Sequence, residues 1–189
     1  MIKTRKDLNF YLKEDYKMNN VSKYTGLKGF IKRKLNVYDD YIWKYIKLLR
    51  ITEYFYNNKK NIFYSLMYII HRYRRDKLGI RLCIEIKENV FGYGLTIYHF
   101  GPIVVNGASK VGNYCKIHGD NCIGNNGKID NKCPVIGDDV DIGVGAKIIG
   151  DIVLADGIKI GAGSIVTKSF LTEGVTVCGV PGRELRKNI

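Results

Sequence analysis

Near its end the chain places an aliphatic residue at every sixth position: Ile136, Ile142, Ile148, Leu154, Ile160 and Val166. Two residues before the last five stand Val140, Ala146, Ile152, Ile158 and Ser164, all small or branched, and glycine follows at Gly137, Gly143 and Gly161. A period of six fits neither a helix, near 3.6, nor a strand, at two. It predicts a hexapeptide β-helix, in which each hexad forms one flat face of a coil and three hexads close a turn. An earlier run at Val105, Val111, Ile117 and Ile123 keeps the same spacing. Between Ile123 and Ile136 the step is 13 residues rather than 12, and GNNGKIDNKCPV is rich in loop formers, so residues 124–134 are expected to leave the coil. From about Ile80 to Thr167 the repeat allows roughly five coils, whose inward aliphatics would stack into one continuous core.

Before the repeat the pattern turns helical. Leu8, Tyr11 and Leu12 make one apolar stripe. A second helix is predicted from about Val37 to Tyr56, and a third from about Asn61 to Arg75, with Gly26 and Gly29 marking a loop between the first two. The fold class predicted is therefore mainly β, a hexapeptide parallel β-helix over 80–189 with a helical region over 1–79. The tail after Thr167 is expected to close the stack with the turn Gly-Val-Pro-Gly.

Charge divides at the same join. Residues 1–79 hold 19 Lys and Arg against 7 Asp and Glu, a net +12, and the remainder hold 12 against 11, a net +1, which together give the chain's +13. A basic, tyrosine-rich surface suits an anionic glycan or the acidic face of a membrane, and a solvated helical cap explains it as well. No nucleic-acid motif accompanies it. No apolar run approaches the roughly 18 residues that span a bilayer, and the start lacks a signal-peptide core, so a cytoplasmic protein is expected. The five cysteines have no zinc spacing, and no metal is expected.

The segments IYHFGPIVVN, IGDDVDIGVGAKIIGDI, IKIGAGSIVTK and GVPGR resemble the serine acetyltransferase branch of the hexapeptide-repeat acyltransferases, and more closely the bacterial polysaccharide O-acetyltransferases of that branch. The resemblance covers about residues 80–185 and implies a left-handed coil, a homotrimer with its active site between subunits, and acetyl-CoA as co-substrate. It implies that His99 is the general base, in keeping with an imidazole pKa near working pH. Glu85 matches, one residue out of register, the carboxylate that orients this histidine; Glu88 is a weaker substitute. For the coenzyme it implies contacts from Gly124, Val144, Gly145, Ala162 and Gly163, with Lys159 near the phosphates and Lys168, Arg183 and Arg186 as further candidates.

The chain departs from the serine enzymes at two acceptor positions, where Tyr98 replaces an aspartate and Cys133 a histidine. Both changes remove polar groups suited to an amino acid, so the expected acceptor is a sugar hydroxyl of a surface polysaccharide or lipid-linked precursor. Tyr98, Cys133 and the outward His118 are the candidate acceptor contacts. Serine O-acetylation is the alternative. His71, among arginines in the third helix, is expected to be solvated or packed.

Overall fold

The computed structural model describes residues 1–19, 37–127 and 132–185, with the backbone alone for 37–40. The loop at Gly26 and Gly29, the middle of the 124–134 loop and Arg186 lie outside the described residues. Helix α1 spans Arg5–Met18 and opens on a capping box: Thr4 Oγ1 accepts from the Asp7 amide while the Asp7 carboxylate accepts from the Thr4 amide. Helix α2 spans Val37–Asn57. Helix α3, Ile62–Leu82, is capped by Asn61 and stops where Cys83 turns left-handed, at φ 57°. It runs seven residues past the predicted Arg75, carrying the helical region to within one residue of the first strand.

The coil has three faces, visited in fixed order. The first face stacks β1 (Ile84–Ile86), β3 (Ile103–Val105), β6 (Asn121–Gly124), β9 (Lys147–Ile149) and β12 (Ile165–Val166), all parallel. The second holds β4 (Lys110–Val111), β7 (Val135–Ile136) and β10 (Val153–Leu154). The third stacks β2 (Thr96–Ile97), β5 (Lys116–Ile117), β8 (Asp141–Ile142), β11 (Lys159–Ile160) and β13 (Thr176–Cys178). Antiparallel β14 (Arg183–Glu184) folds back on β13 and closes the open end.

Register explains the hexad. Ile97, Ile117, Ile142, Ile160 and Val177 are mutual partners down the third face, and Val105, Ile123, Ile148 and Val166 down the first. All are buried. Each such side chain contributes on the order of 1.5–3 kcal/mol by leaving water, so the columns are the main stabilising feature of the coil. Glycines sit where coils nearly touch: a methyl group on Gly143 would lie 2.7 Å from the Ile160 carbonyl oxygen.

Two breaks in the spacing locate insertions. The 13 residues from Ile123 to Ile136 span a single change of face, from β6 to β7, so the loop adds seven residues to an ordinary hexad. The step expected to cover two hexads thus belongs to one. A second break lies earlier in the chain, before β3. Ile97 and Val105 are eight apart, whereas their partners Ile117 and Ile123, Ile142 and Ile148, and Ile160 and Val166 are six apart. The first coil therefore carries two extra residues at the corner between the third and first faces.

A buried ionic node holds the helices on this first coil. The fully buried Arg50 of α2 donates through Nε to Asp15 of α1 at 2.7 Å, through Nη1 to Glu53 at 3.0 Å, and to the carbonyls of Phe91 and Gly92. Asp15 also accepts from the amides of Gly94 and Leu95, and Glu53 from the amide of Asn89. Burial pushes the Glu53 carboxyl up, against the pull of the Arg50 guanidinium. Arg50→Ala leaves two carboxylates buried and is expected to cost about 3–5 kcal/mol. Urea unfolding followed by circular dichroism checks this, and a midpoint equal to that of the wild type contradicts it.

Candidate active site at one corner of the coil

The two extra residues belong to Tyr98–Pro102, which carries His99 outward at the corner where the third face turns into the first. The segment is pinned from below. Gly101, at φ 138°, donates its amide to the Leu82 carbonyl, and Ile103 donates to Cys83, so the end of α3 fixes the height of the turn. His99 is exposed, as are Tyr98 and Phe100 on either side. On the next coil Gly119 faces it: a Cβ there would lie 3.5 Å from His99 Cβ. A methyl group there would make ordinary van der Waals contact, but the backbone, at φ 103°, favours glycine.

Below Gly119 the corner is built from small residues. Val144 and Gly145 form its third level, Ala162 and Gly163 its fourth. Gly145 and Gly163 adopt positive φ, and their amides bond upward to Gly119 and Val144. Nothing lies within 4 Å of a Cβ placed on Gly163. The result is a narrow open edge running down from His99, where a thin chain can approach backbone closely. Buried Asn121 braces it, accepting from the Gly119 amide at 2.8 Å and donating to the Gly143 carbonyl at 2.8 Å.

Beside this edge, on the outer side of the third face, stands a cluster that periodicity alone could not reveal. His118 Nε2 lies 2.8 Å from Asp141 Oδ1, and the Tyr98 ring stacks on the His118 ring at 4.4 Å between centroids. Asp141 lies in register between Lys116 and Lys159; Lys116 itself pairs with Asp139 at 2.7 Å. The signal for His118 was its place one after an inward residue. Asp141 lies one before an inward residue on the next coil, and pairing the two required the register.

Tyr98, His99, His118, Val144, Gly145, Ala162 and Gly163 thus share one corner. Lys159 is on the adjoining third face. Gly124 and Cys133 flank the 124–134 loop at a different corner, and Cys133 is buried. Glu85 stands on the outer side of β1 opposite Val104, with Lys87 Nζ 2.8 Å from its carboxylate, and lines a cavity of about 390 Å³ that reaches Pro102. Glu88 is held by Arg75 at 2.9 Å and serves the helical region. His71 packs flat on Phe55, where burial and Arg74 hold its pKa below the ordinary value. Burial pushes the Cys115 thiol far up, which leaves it inert as a nucleophile. Among the described residues no three His, Cys, Asp or Glu side chains converge to hold a metal, and no helix is long and apolar enough to cross a membrane.

No family model matches the chain. Among curated proteins it is 31% identical over 130 residues to the serine acetyltransferase of Helicobacter pylori, an alignment covering 68% of this chain and 74% of that protein. The first curated relatives it matches are covered over 40–58% of their length, so the chain spans about half of them. A solved serine acetyltransferase from Brucella abortus strain S19 superposes with a TM-score of 0.75, at 24% identity, over 96% of this chain and 70% of that one. A serine acetyltransferase solved in complex with CoA matches at 27% identity and a TM-score of 0.64, over 77% of this chain and 57% of that one. The fold is thus the left-handed parallel β-helix with a helical N-terminal region.

These comparisons correct the expected acceptor. The relatives are serine acetyltransferases, which overturns the polysaccharide reading and favours the alternative; the polysaccharide branch itself is not shown. Loss of polar groups at Tyr98 and Cys133 does not by itself exclude an amino-acid acceptor, because the coil brings other polar side chains, His118 and Asp141, to the same corner.

Proposed function

The chain belongs to the serine acetyltransferase family, and from that premise we propose that it moves the acetyl group of acetyl-CoA to the hydroxyl of free serine, with His99 as general base. The observation that carries this reading is the two-residue excess that lifts His99 onto an open edge of small residues. The imidazole takes the proton as serine Oγ attacks the thioester carbonyl carbon, so that a hydroxyl rather than water becomes the nucleophile. Collapse of the tetrahedral adduct expels the coenzyme thiolate, which takes the same proton back from the imidazolium. Nothing is oxidised, and no metal is required.

Several features support the donor site. A pantetheine arm would run down the edge past Val144, Gly145, Ala162 and Gly163, with Lys159 near the phosphates. Gly124 and Cys133 belong to another corner, so a role for them requires a neighbouring subunit, and the proposal includes a homotrimer. Val135 and Val153 are register partners on the second face and stand outward with about half their surface exposed, as an assembly surface would. Glu85 completes the proposal as the carboxylate that orients His99.

The helical region adds a peripheral contact with an anionic membrane surface. Ile62, Phe63, Leu66, Ile69, Tyr73 and Ile80 form an exposed stripe along α3, flanked by Arg74, Lys77 and Arg81. Sedimentation with phosphatidylglycerol vesicles at low salt is expected to carry the protein down, and phosphatidylcholine vesicles are not. Equal behaviour with both contradicts the contact.

Release of free coenzyme A with L-serine tests the reaction. His99→Ala is expected to lower kcat by roughly 10²–10⁴-fold with little change in folding. Absence of serine-dependent release by the wild type would sink the reading. For Glu85→Gln a loss of at least tenfold is expected, and a rate within about twofold of wild type removes Glu85 from the mechanism.

A further inference from the structure

A serine acceptor enters as a zwitterion, and orienting its hydroxyl toward His99 requires groups that hold both charged ends. A carboxylate needs donors, and an ammonium needs acceptors. We propose that the His118–Asp141 pair is the acceptor clamp, with His118 binding the α-carboxylate and Asp141 the α-ammonium. The inference rests on the serine reading and adds to it the residues that select an amino acid over a plain alcohol.

Four observations meet here. His118 and Asp141 stand on adjacent coils of the third face, joined at 2.8 Å through one nitrogen and one oxygen. That bond fixes the ring. It leaves His118 Nδ1 and Asp141 Oδ2 as the free ends of the pair, and among the described residues neither has a hydrogen-bond partner. The pair is about one-third exposed, so it is sheltered yet reachable. It is also next to the base: His118 immediately precedes Gly119, whose Cα faces His99.

Lys116 and Lys159 flank Asp141 in the same row of the third face, and the more distant Asp139 is engaged by Lys116. The Tyr98 ring covers one face of the imidazole, leaving the Nδ1 edge as its remaining polar approach. An imidazole and a carboxylate held side by side, with one free hydrogen-bonding atom each, match the two ends of an α-amino acid when both ring nitrogens carry protons. Tyr98 thereby gains a role in bracing the clamp.

Three acceptors separate the parts: L-serine, serinamide, which lacks the carboxylate charge, and 3-hydroxypropanoate, which lacks the ammonium. Each is assayed with wild type, His118→Gln and Asp141→Asn at saturating acetyl-CoA. Loss of one hydrogen bond to a charged end corresponds to roughly a tenfold or greater rise in KM for L-serine. His118→Gln is expected to raise KM for serine by that factor while leaving kcat/KM for serinamide within threefold of wild type. Asp141→Asn is expected to do so for serine but not for 3-hydroxypropanoate. KM for acetyl-CoA stays constant in both. If either variant weakens all three acceptors equally, or leaves KM for serine unchanged, the clamp is refuted while the serine reading stands. Failure of the wild type to use serine at all overturns both.

Discussion

The register of the stacked hexads constrains everything else in this molecule. Each inward aliphatic has a partner directly above and below it, as in the run from Ile97 through Ile117, Ile142 and Ile160 to Val177. A residue inserted within a face would rotate the following side chains out of these columns and expose a core that no single coil could rebuild. Extra chain can therefore be added only at corners. Both insertions obey this rule: the seven-residue excess between β6 and β7, and the two-residue excess between β2 and β3. The shorter of the two carries His99.

The helical region completes the first coil and sets the position of that histidine. The outer edge of the first coil would otherwise leave backbone groups between Asn89 and Leu95 unpaired. Instead Arg50, Asp15 and Glu53 satisfy the backbone groups of Asn89, Phe91, Gly92, Gly94 and Leu95. The same cap reaches the active corner, since the Leu82 carbonyl at the end of α3 accepts the Gly101 amide two residues from His99. Packing of the helices on the coil and placement of His99 are thus mechanically linked. The apolar stripe of α3 takes no part in these contacts and is exposed.

Much of this was legible from the chain. The hexad period predicted the coil because aliphatic spacing maps directly onto inward positions, and the helix at 37–57 followed from its stripe. The end of α3 was missed because Leu78, Gly79 and Leu82 pack on tertiary partners rather than continue a simple stripe. Individual corner residues were legible as small or polar. What they form together was not, because His118 and Asp141 are 23 positions apart in the chain and meet only through the register. The break between Ile97 and Val105 was a readable signal, since a run of sixes interrupted by an eight marks a protruding corner. Tyr98 and Cys133 read singly pointed to a sugar acceptor, which the serine acetyltransferase relatives overturn, since a site is a property of neighbours across coils.

The account turns on one open edge serving the donor and the base together. A crystal structure with coenzyme A and serine bound tests this directly. It should place the pantetheine arm along Val144–Gly145 and Ala162–Gly163, its sulfur beside His99, and the serine hydroxyl within about 3 Å of the imidazole. Coenzyme bound along the second face, with the His99 ring remote from both sulfur and hydroxyl, would contradict it.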